Sequence, residues 1–263
     1  MRAVHQVVDG LPKILDDTAV IPLLGSTIVD RVLSDRARLD APGARALRSH
    51  VVLRSRYAED RLAEAVQRGL RQFLVLGAGF DTFAYRQPAW AHDLRIFEVD
   101  QPASQQAKRA RLEASGLAIP SNLTFVAADF EHRTLHDILA DGGVDINQPT
   151  FISWLGVTVY LTEPAIDAVF RFVASLPASS EIVFTFYSRD PGGLRPLEER
   201  VAELGEPFKT WFEPAELDTK LRSFGFSEVT FLQPEEAAAR YFPAPRPDHL
   251  PPPHRINTAS ARV

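Results

Sequence analysis

The apolar positions change rhythm near residue 71. Up to that point they recur at roughly helical spacing, as in Ala46, Leu47, Val51, Val52, Leu53, Tyr57, Leu62, Ala65 and Val66, which predicts helices because residues three and four apart share one helix face. From Phe73 onward short apolar runs take over. "FLVLG" (73–77), "RIFEVD" (95–100), "LTFVAADF" (123–130), "TFISWL" (150–155), "EIVFTFY" (181–187) and "SEVTFLQ" (227–233) read as strands, and stretches such as "PASQQAKRARLEASG" and "EPAIDAVFRFVASLP" between them read as helices. Strands alternating with helices predict an α/β fold with a mostly parallel, doubly wound sheet, since parallel neighbours need a crossover. Ligands of such sheets bind beyond the carboxyl ends of the strands, so the residues that follow each apolar run are the candidates for chemistry.

The first of these strand ends carries Gly77 and Gly79. Glycine there permits a sharp turn and a close approach of ligand to backbone N–H groups. A dinucleotide fingerprint needs Gly or Ala at position 82, where this chain has Thr82, which counts against an NAD-dependent oxidoreductase. The second strand ends in Asp100, 21 positions past Gly79, and a carboxylate at that tip can accept both hydroxyls of a ribose. Pro102 leaves a second role open, with Asp100 as a helix cap. At the third strand end, Asp129 and Phe130 stand where an adenine would lie: a carboxylate for the exocyclic amine, an aromatic ring for the face. Three suitable strand ends together predict a nucleoside site without choosing between NAD and S-adenosylmethionine.

Composition narrows the chemistry. The 263 residues, 45% of them apolar, suffice for one elaborated domain. The 29 basic and 34 acidic residues give a net charge of −5, and no basic block offers a footprint for nucleic acid, which is not expected as a partner. The absence of cysteine excludes disulfides, thiolate catalysis and cysteine-ligated metals. Seven histidines form no HExxH-like pair, so no metal site is expected. Asp9, Gly10 and Pro12 interrupt the first residues before an apolar signal core forms, and no later run approaches membrane-spanning length; a soluble, cytoplasmic protein with no membrane partner is the expectation. The biased segment "FPAPRPDHLPPP" (242–253) predicts an extended tail laid over the domain.

"KILDDTAV" (13–20), "VVLRSRYAED" (51–60), "RQFLVLGAGFDTFAYR" (71–86), "FEVDQPASQQAKRARL" (97–112), "FVAADF" (125–130), "WLGVTVYLT" (154–162), "PAELDTKLRSFGF" (214–226) and "RYFPAPRPDHL" (240–250) together resemble the leucine carboxyl methyltransferase-like group of class I S-adenosylmethionine-dependent methyltransferases, which includes bacterial small-molecule O-methyltransferases of the polyketide type. The resemblance implies a Rossmann-like sheet of seven strands with N-terminal helices (1–70), a cofactor-binding core (71–187), an inserted lid (188–214) and C-terminal strands with the Pro-rich tail (215–263). It implies S-adenosyl-L-methionine as cofactor and S-adenosyl-L-homocysteine as product. By position, Arg54 would pair with the cofactor's methionine carboxylate. Gly77, Ala78 and Gly79 would border the methionine part, Asp100 would hold the ribose, and Asp129 with Phe130 the adenine; Asp81, Gln101 and Leu155 complete the implied set. Leu155 stands where protein-methylating members commonly have glutamate, so a protein substrate does not carry over. Tyr160 occupies a matching position and Thr158 adds a hydroxyl nearby, making these two the catalytic candidates.

The implied activity is O-methylation of a carboxyl or hydroxyl group on a small, natural-product-like acceptor of secondary metabolism. A carboxylate, ionised near pH 7, needs no base; a phenol or alcohol does, and His50, His132, His136, His249 and His254 are available without a pattern to choose among them. The segment 188–214 is long for a plain connection: either Gly192 and Gly193 hinge a lid in which Phe208, Trp211 and Phe212 close over the acceptor and Arg189 and Arg195 position an acidic one, or it is an inserted helix packed on the sheet edge with the arginines as solvated charges. The alternatives are a protein of this fold that binds the cofactor without methyl transfer, in a regulatory or cyclase-like role, and an oxidoreductase.

Overall fold

The computed structural model describes residues 1–128, 133–188, 207–243, 246 and 248–263. Four short helices, α1 (Arg2–Val8), α2 (Val20–Leu24), α3 (Thr27–Ser34) and α4 (Arg36–Leu39), precede the long α5 (Pro42–Gln67). The sheet then begins: β1 (Gln72–Leu76), β2 (Arg95–Asp100), α6 (Pro102–Ser115), β3 (Leu123–Ala127), α7 (Leu135–Asp141), β4 (Thr150–Trp154), α8 (Glu163–Ala174) and β5 (Glu181–Thr185). After the segment 207–213 come α9 (Pro214–Phe224), β6 (Glu228–Phe231), α10 (Pro234–Tyr241) and β7 (Thr258–Arg262). Proline opens α5, α6, α8, α9 and α10 within the first turn, where its missing N–H costs nothing.

The seven strands run in the order β3-β2-β1-β4-β5-β7-β6. The first five are parallel, with Leu74 level with Phe97 on one side and Ile152 on the other, whereas β7 is antiparallel to both β5 and β6. This is the doubly wound α/β sheet that the apolar runs predict. The strand that no run announces is β7, "TASAR": its Ala259 and Ala261 are fully buried between two neighbours, so small size rather than hydrophobic bulk is what the position requires.

Successive side chains of a strand face opposite ways, and the sheet accordingly separates two cores. Phe73, Val75, Ile96, Phe151 and Val183 pack beneath α5, while Leu74, Phe97, Val99, Ile152, Ile182 and Phe184 pack against α7, α8 and α9 on the opposite side. Helix α5 lies antiparallel to β5. Glu181, at the start of that strand and wholly buried, takes Arg61 Nε at 2.7 Å and Arg68 Nη2 at 2.6 Å; further along, the Tyr57 hydroxyl meets Ser260 Oγ at 3.3 Å. Two arginines on one buried carboxylate set the register of the helix, and the turns beyond Tyr57 are thereby carried to the carboxyl end of β5. In the Pro-rich segment, the described residues Arg246 and Asp248 contact the N-terminal part: Asp248 accepts from Arg246 at 2.7 Å and from the Gly10 amide at 2.9 Å, and Arg246 reaches the Pro12 carbonyl at 3.2 Å.

Candidate functional site

The carboxyl ends of β1 and β2 are tied together. The amides of Gly77 and Ala78 both donate to the Val99 carbonyl, at 2.8 and 3.2 Å. Gly79 donates its amide to one oxygen of Asp100, and the other oxygen accepts the Gln101 amide at 2.7 Å. Gln101, not Asp100, is the N-cap residue of α6, so Asp100 acts as a brace across the loop with its carboxylate partly open. Gly77 is held at φ +66, and a Cβ there would stand 2.5 Å from a Val157 methyl; the glycine is what lets the loop after β1 touch the loop after β4. Asp81 turns inward, its Oδ1 accepting the Phe83 amide at 2.9 Å.

Helix α5 delivers Arg54 to the loop after β4. A Cβ on Gly156 (φ +76) would lie 2.7 Å from Arg54 Nη2 and 2.9 Å from Nη1, so the guanidinium rests directly on bare backbone. Its Nε is screened from solvent and has no hydrogen-bond partner, and no carboxylate offsets its charge among the described residues. Burial pulls the Arg54 pKa down, the direction expected of a cation in want of a counter-ion. Leu155 packs half-buried against the core under α5. The Thr158 hydroxyl donates to the Thr185 carbonyl at 2.6 Å, and the Thr185 hydroxyl accepts the Gly156 amide at 2.7 Å, which fixes the loop that supports Arg54.

A second set of charges braces the glycine loop from below. Arg2 Nη1 lies 3.1 Å from Thr82 Oγ1, 3.4 Å from Asp17 and 3.8 Å from Asp81, and its other terminal nitrogen donates to the Phe80 carbonyl. Thr82 is fully buried with its hydroxyl on Asp17 at 2.8 Å. The residue that spoils a dinucleotide fingerprint is therefore a structural tie. Nothing in the spacing of the chain singles out Arg2 or Asp17, because the Thr82 they hold lies more than sixty positions away. Under Asp100, on the same strand face, Glu98 pairs with Lys108 at 2.6 Å, both fully buried; burial outweighs the lysine and pushes the Glu98 carboxyl up to about 7.

Beyond the ends of β4 and β5 the structure gathers aromatic rings. Tyr160 and Tyr187 flank Phe208 at centroid distances of 5.7 and 5.4 Å, and His50 meets Tyr187 edge-on at 6.1 Å. The segment that carries Phe208 is laced to the strand ends through Lys209 N to the Val159 carbonyl at 2.7 Å and Phe212 N to the Tyr187 carbonyl at 2.8 Å. Of the histidines open on sequence, His50 joins this group; His136 is exposed beside Asp137 and His254 is exposed, and His249 lies in the tail. Asp129, Phe130, His132, Arg189, Gly192, Gly193 and Arg195 lie outside the described residues, so the expected adenine contacts and lid hinge fall there as well. Among the described residues no cluster of three His, Asp or Glu side chains could hold a metal, and no helix is long and apolar enough to cross a membrane.

Known proteins share this arrangement of sequence. A family model described as leucine carboxyl methyltransferase matches residues 1–174. A Bacillus subtilis protein named "Putative S-adenosyl-L-methionine-dependent methyltransferase YktD" is 34% identical over 205 residues, covering 75% of this chain and 67% of its own, and a Mycobacterium avium protein of the same general name is 30% identical, covering 75% and 65%. The matches thus span about two thirds of the length of these relatives. Among solved structures, a protein from Thermobifida fusca titled as a putative methyltransferase superposes with a TM-score of 0.60 at 22% identity, covering 99% of this chain and 97% of its own. A DUF574 family protein from Streptomyces avermitilis gives 0.56 at 19% identity, covering 89% and 90%. Both share the fold.

Proposed function

The chain belongs to the leucine carboxyl methyltransferase family of S-adenosylmethionine-dependent methyltransferases, and we propose that it transfers a methyl group to a carboxyl or hydroxyl oxygen of a small, natural-product-like acceptor. The observation that carries this reading is Arg54. A guanidinium with an unpartnered buried Nε, set against a glycine where any side chain would collide, is shaped to receive a carboxylate, and the cofactor's methionine end has one. Charge-assisted contacts of this kind are about twice as strong as neutral ones.

The remaining residues fit the rest of the cofactor. Gly77, Ala78 and Gly79, their amides tied to Val99 and Asp100, would border the methionine portion together with Asp81 and Leu155. Asp100, with Gln101 beside it, faces the ribose, and Asp129 and Phe130 follow β3 where the adenine belongs. When bound, the cofactor supplies a sulfonium methyl for an in-line displacement. The chain's part is alignment and exclusion of water: Arg54 and the glycine loop orient the donor, while Tyr160, Tyr187 and Phe208 shape the space opposite. Thr158 serves by holding the loop between them.

The test is incubation of the purified protein with S-adenosylmethionine and a panel of carboxylic acids and phenols, read by mass spectrometry. A product heavier by one CH2, formed together with S-adenosylhomocysteine, supports the reading. Tight cofactor binding without a methylated product from any acceptor would replace it with the binding-only alternative.

A further inference from the structure

His50 stands one helical turn before Arg54 on α5, so the two side chains leave the same face of the helix. The register set by Glu181 brings that face to the end of β5, where Tyr187 lies edge-on to the imidazole at 6.1 Å. Its Nε2 is screened from solvent and has no partner among the described residues. A buried polar nitrogen left unpaired is unfavourable, and a ligand atom would remove that cost.

We propose that His50 is the acceptor-positioning residue: its Nε2–H donates to the carboxylate of an acid whose apolar, aromatic body rests on Tyr160, Tyr187 and Phe208. This deepens the methyltransferase reading above and rests on it. Two further facts favour a donor over a proton acceptor. Burial and the neighbouring Arg54 cation push the His50 pKa down to about 3, so the ring is neutral and too weak a base to take a proton from a phenol or alcohol. Arg54, engaged with the cofactor's own carboxylate, leaves a second anion to be held by neutral donors, and the nearby Tyr187 hydroxyl, whose pKa burial raises, stays protonated to assist. With one carboxylate oxygen so held, the other is free to react. Its lone pair forms the new carbon–oxygen bond, the carbon–sulfur bond breaks with its electrons passing to sulfur, and no proton has to move.

The experiment uses the full chain saturated with S-adenosylhomocysteine and titrated calorimetrically with cinnamate, benzoate and, as the uncharged counterpart, benzyl alcohol. His50→Gln keeps an N–H at the corresponding reach, and His50→Phe keeps the ring without it. Saturable binding of the acids over the alcohol is expected, retained in His50→Gln and weakened at least about tenfold in His50→Phe, with both variants holding S-adenosylhomocysteine as the wild type does. Binding of the acids by His50→Phe at wild-type strength, or no preference for acid over alcohol in the wild type, overturns the assignment. Failure of the wild type to bind S-adenosylhomocysteine at all would overturn the methyltransferase reading instead.

Discussion

Replacing Gly156 by alanine adds one carbon to the support of Arg54, and its effects on folding and on binding are separable. The new Cβ would lie 2.7, 2.9 and 3.1 Å from Nη2, Nη1 and Cζ of the guanidinium. Ordinary contact begins near 3.4 Å, so the nearest nitrogen must withdraw by roughly 0.7 Å. The guanidinium is the far end of a flexible side chain and can do so without unfolding anything. The folding cost comes from the backbone: at φ +76 an L residue pays roughly 1–2 kcal/mol. The binding cost comes from the displaced cation, since a hydrogen bond to a charged group is worth about 1.5–3 kcal/mol, or about 10- to 150-fold in affinity. The assay is calorimetric titration of folded wild type, Gly156→Ala and Arg54→Met with S-adenosylhomocysteine and, separately, with adenosine, which lacks the methionine part. Gly156→Ala should lose at least about tenfold toward S-adenosylhomocysteine, no more than Arg54→Met loses, and little toward adenosine. Unchanged S-adenosylhomocysteine affinity in Gly156→Ala, or equal losses for both ligands, would refute the placement of Arg54 at the methionine carboxylate.

Three other outcomes follow from the buried charges and the loop brace. Glu98, raised from 4.5 to about 7 by burial, binds its proton more tightly folded than unfolded. Its contribution is therefore full below about pH 4.5 and is lost as pH rises through about 7, on the order of 3 kcal/mol in all; urea melts from pH 4.5 to 8 should show this component in the wild type and not in a Glu98→Met/Lys108→Met double variant, and identical pH slopes would contradict it. Glu181→Ala leaves Arg61 and Arg68 facing a buried gap and should cost about 2–4 kcal/mol in the same melts, whereas a loss under about 0.5 kcal/mol would mean that other contacts set the register of α5. Asp100→Ala should weaken adenosine and S-adenosylhomocysteine together, and a loss confined to S-adenosylhomocysteine would argue against the ribose assignment.

Much of the sheet was legible in the chain because β1, β2, β4 and β5 are buried on both faces and so are written as unbroken apolar runs. The same logic hid β7: Thr258–Arg262 pairs with both β5 and β6, but its buried apolar positions are Ala259 and Ala261, and a small residue carries little hydrophobic signal. Glycine pairs and a carboxylate 21 positions on are visible because a cofactor loop is local in sequence. Arg54 looks like any helix charge until the family resemblance is drawn, since what marks it is a contact with Gly156, about a hundred residues away. The brace that Arg2 and Asp17 give Thr82 could not be read from the sequence, for the same reason of separation; Asp17 appeared there only within the stretch 13–20 that carries the resemblance. His50 was one of several equivalent histidines on sequence; the register of α5 against β5 is what distinguishes it.

The central claim is that the loop from Gly77 to Asp81, Asp100 and Arg54 form a cradle for a methyl donor. Calorimetric titration of the purified protein with S-adenosylhomocysteine, with NADH as the control ligand, tests it most directly. Saturable binding of one S-adenosylhomocysteine per chain and none of NADH is the predicted result, and binding of NADH alone, or of neither, would contradict it.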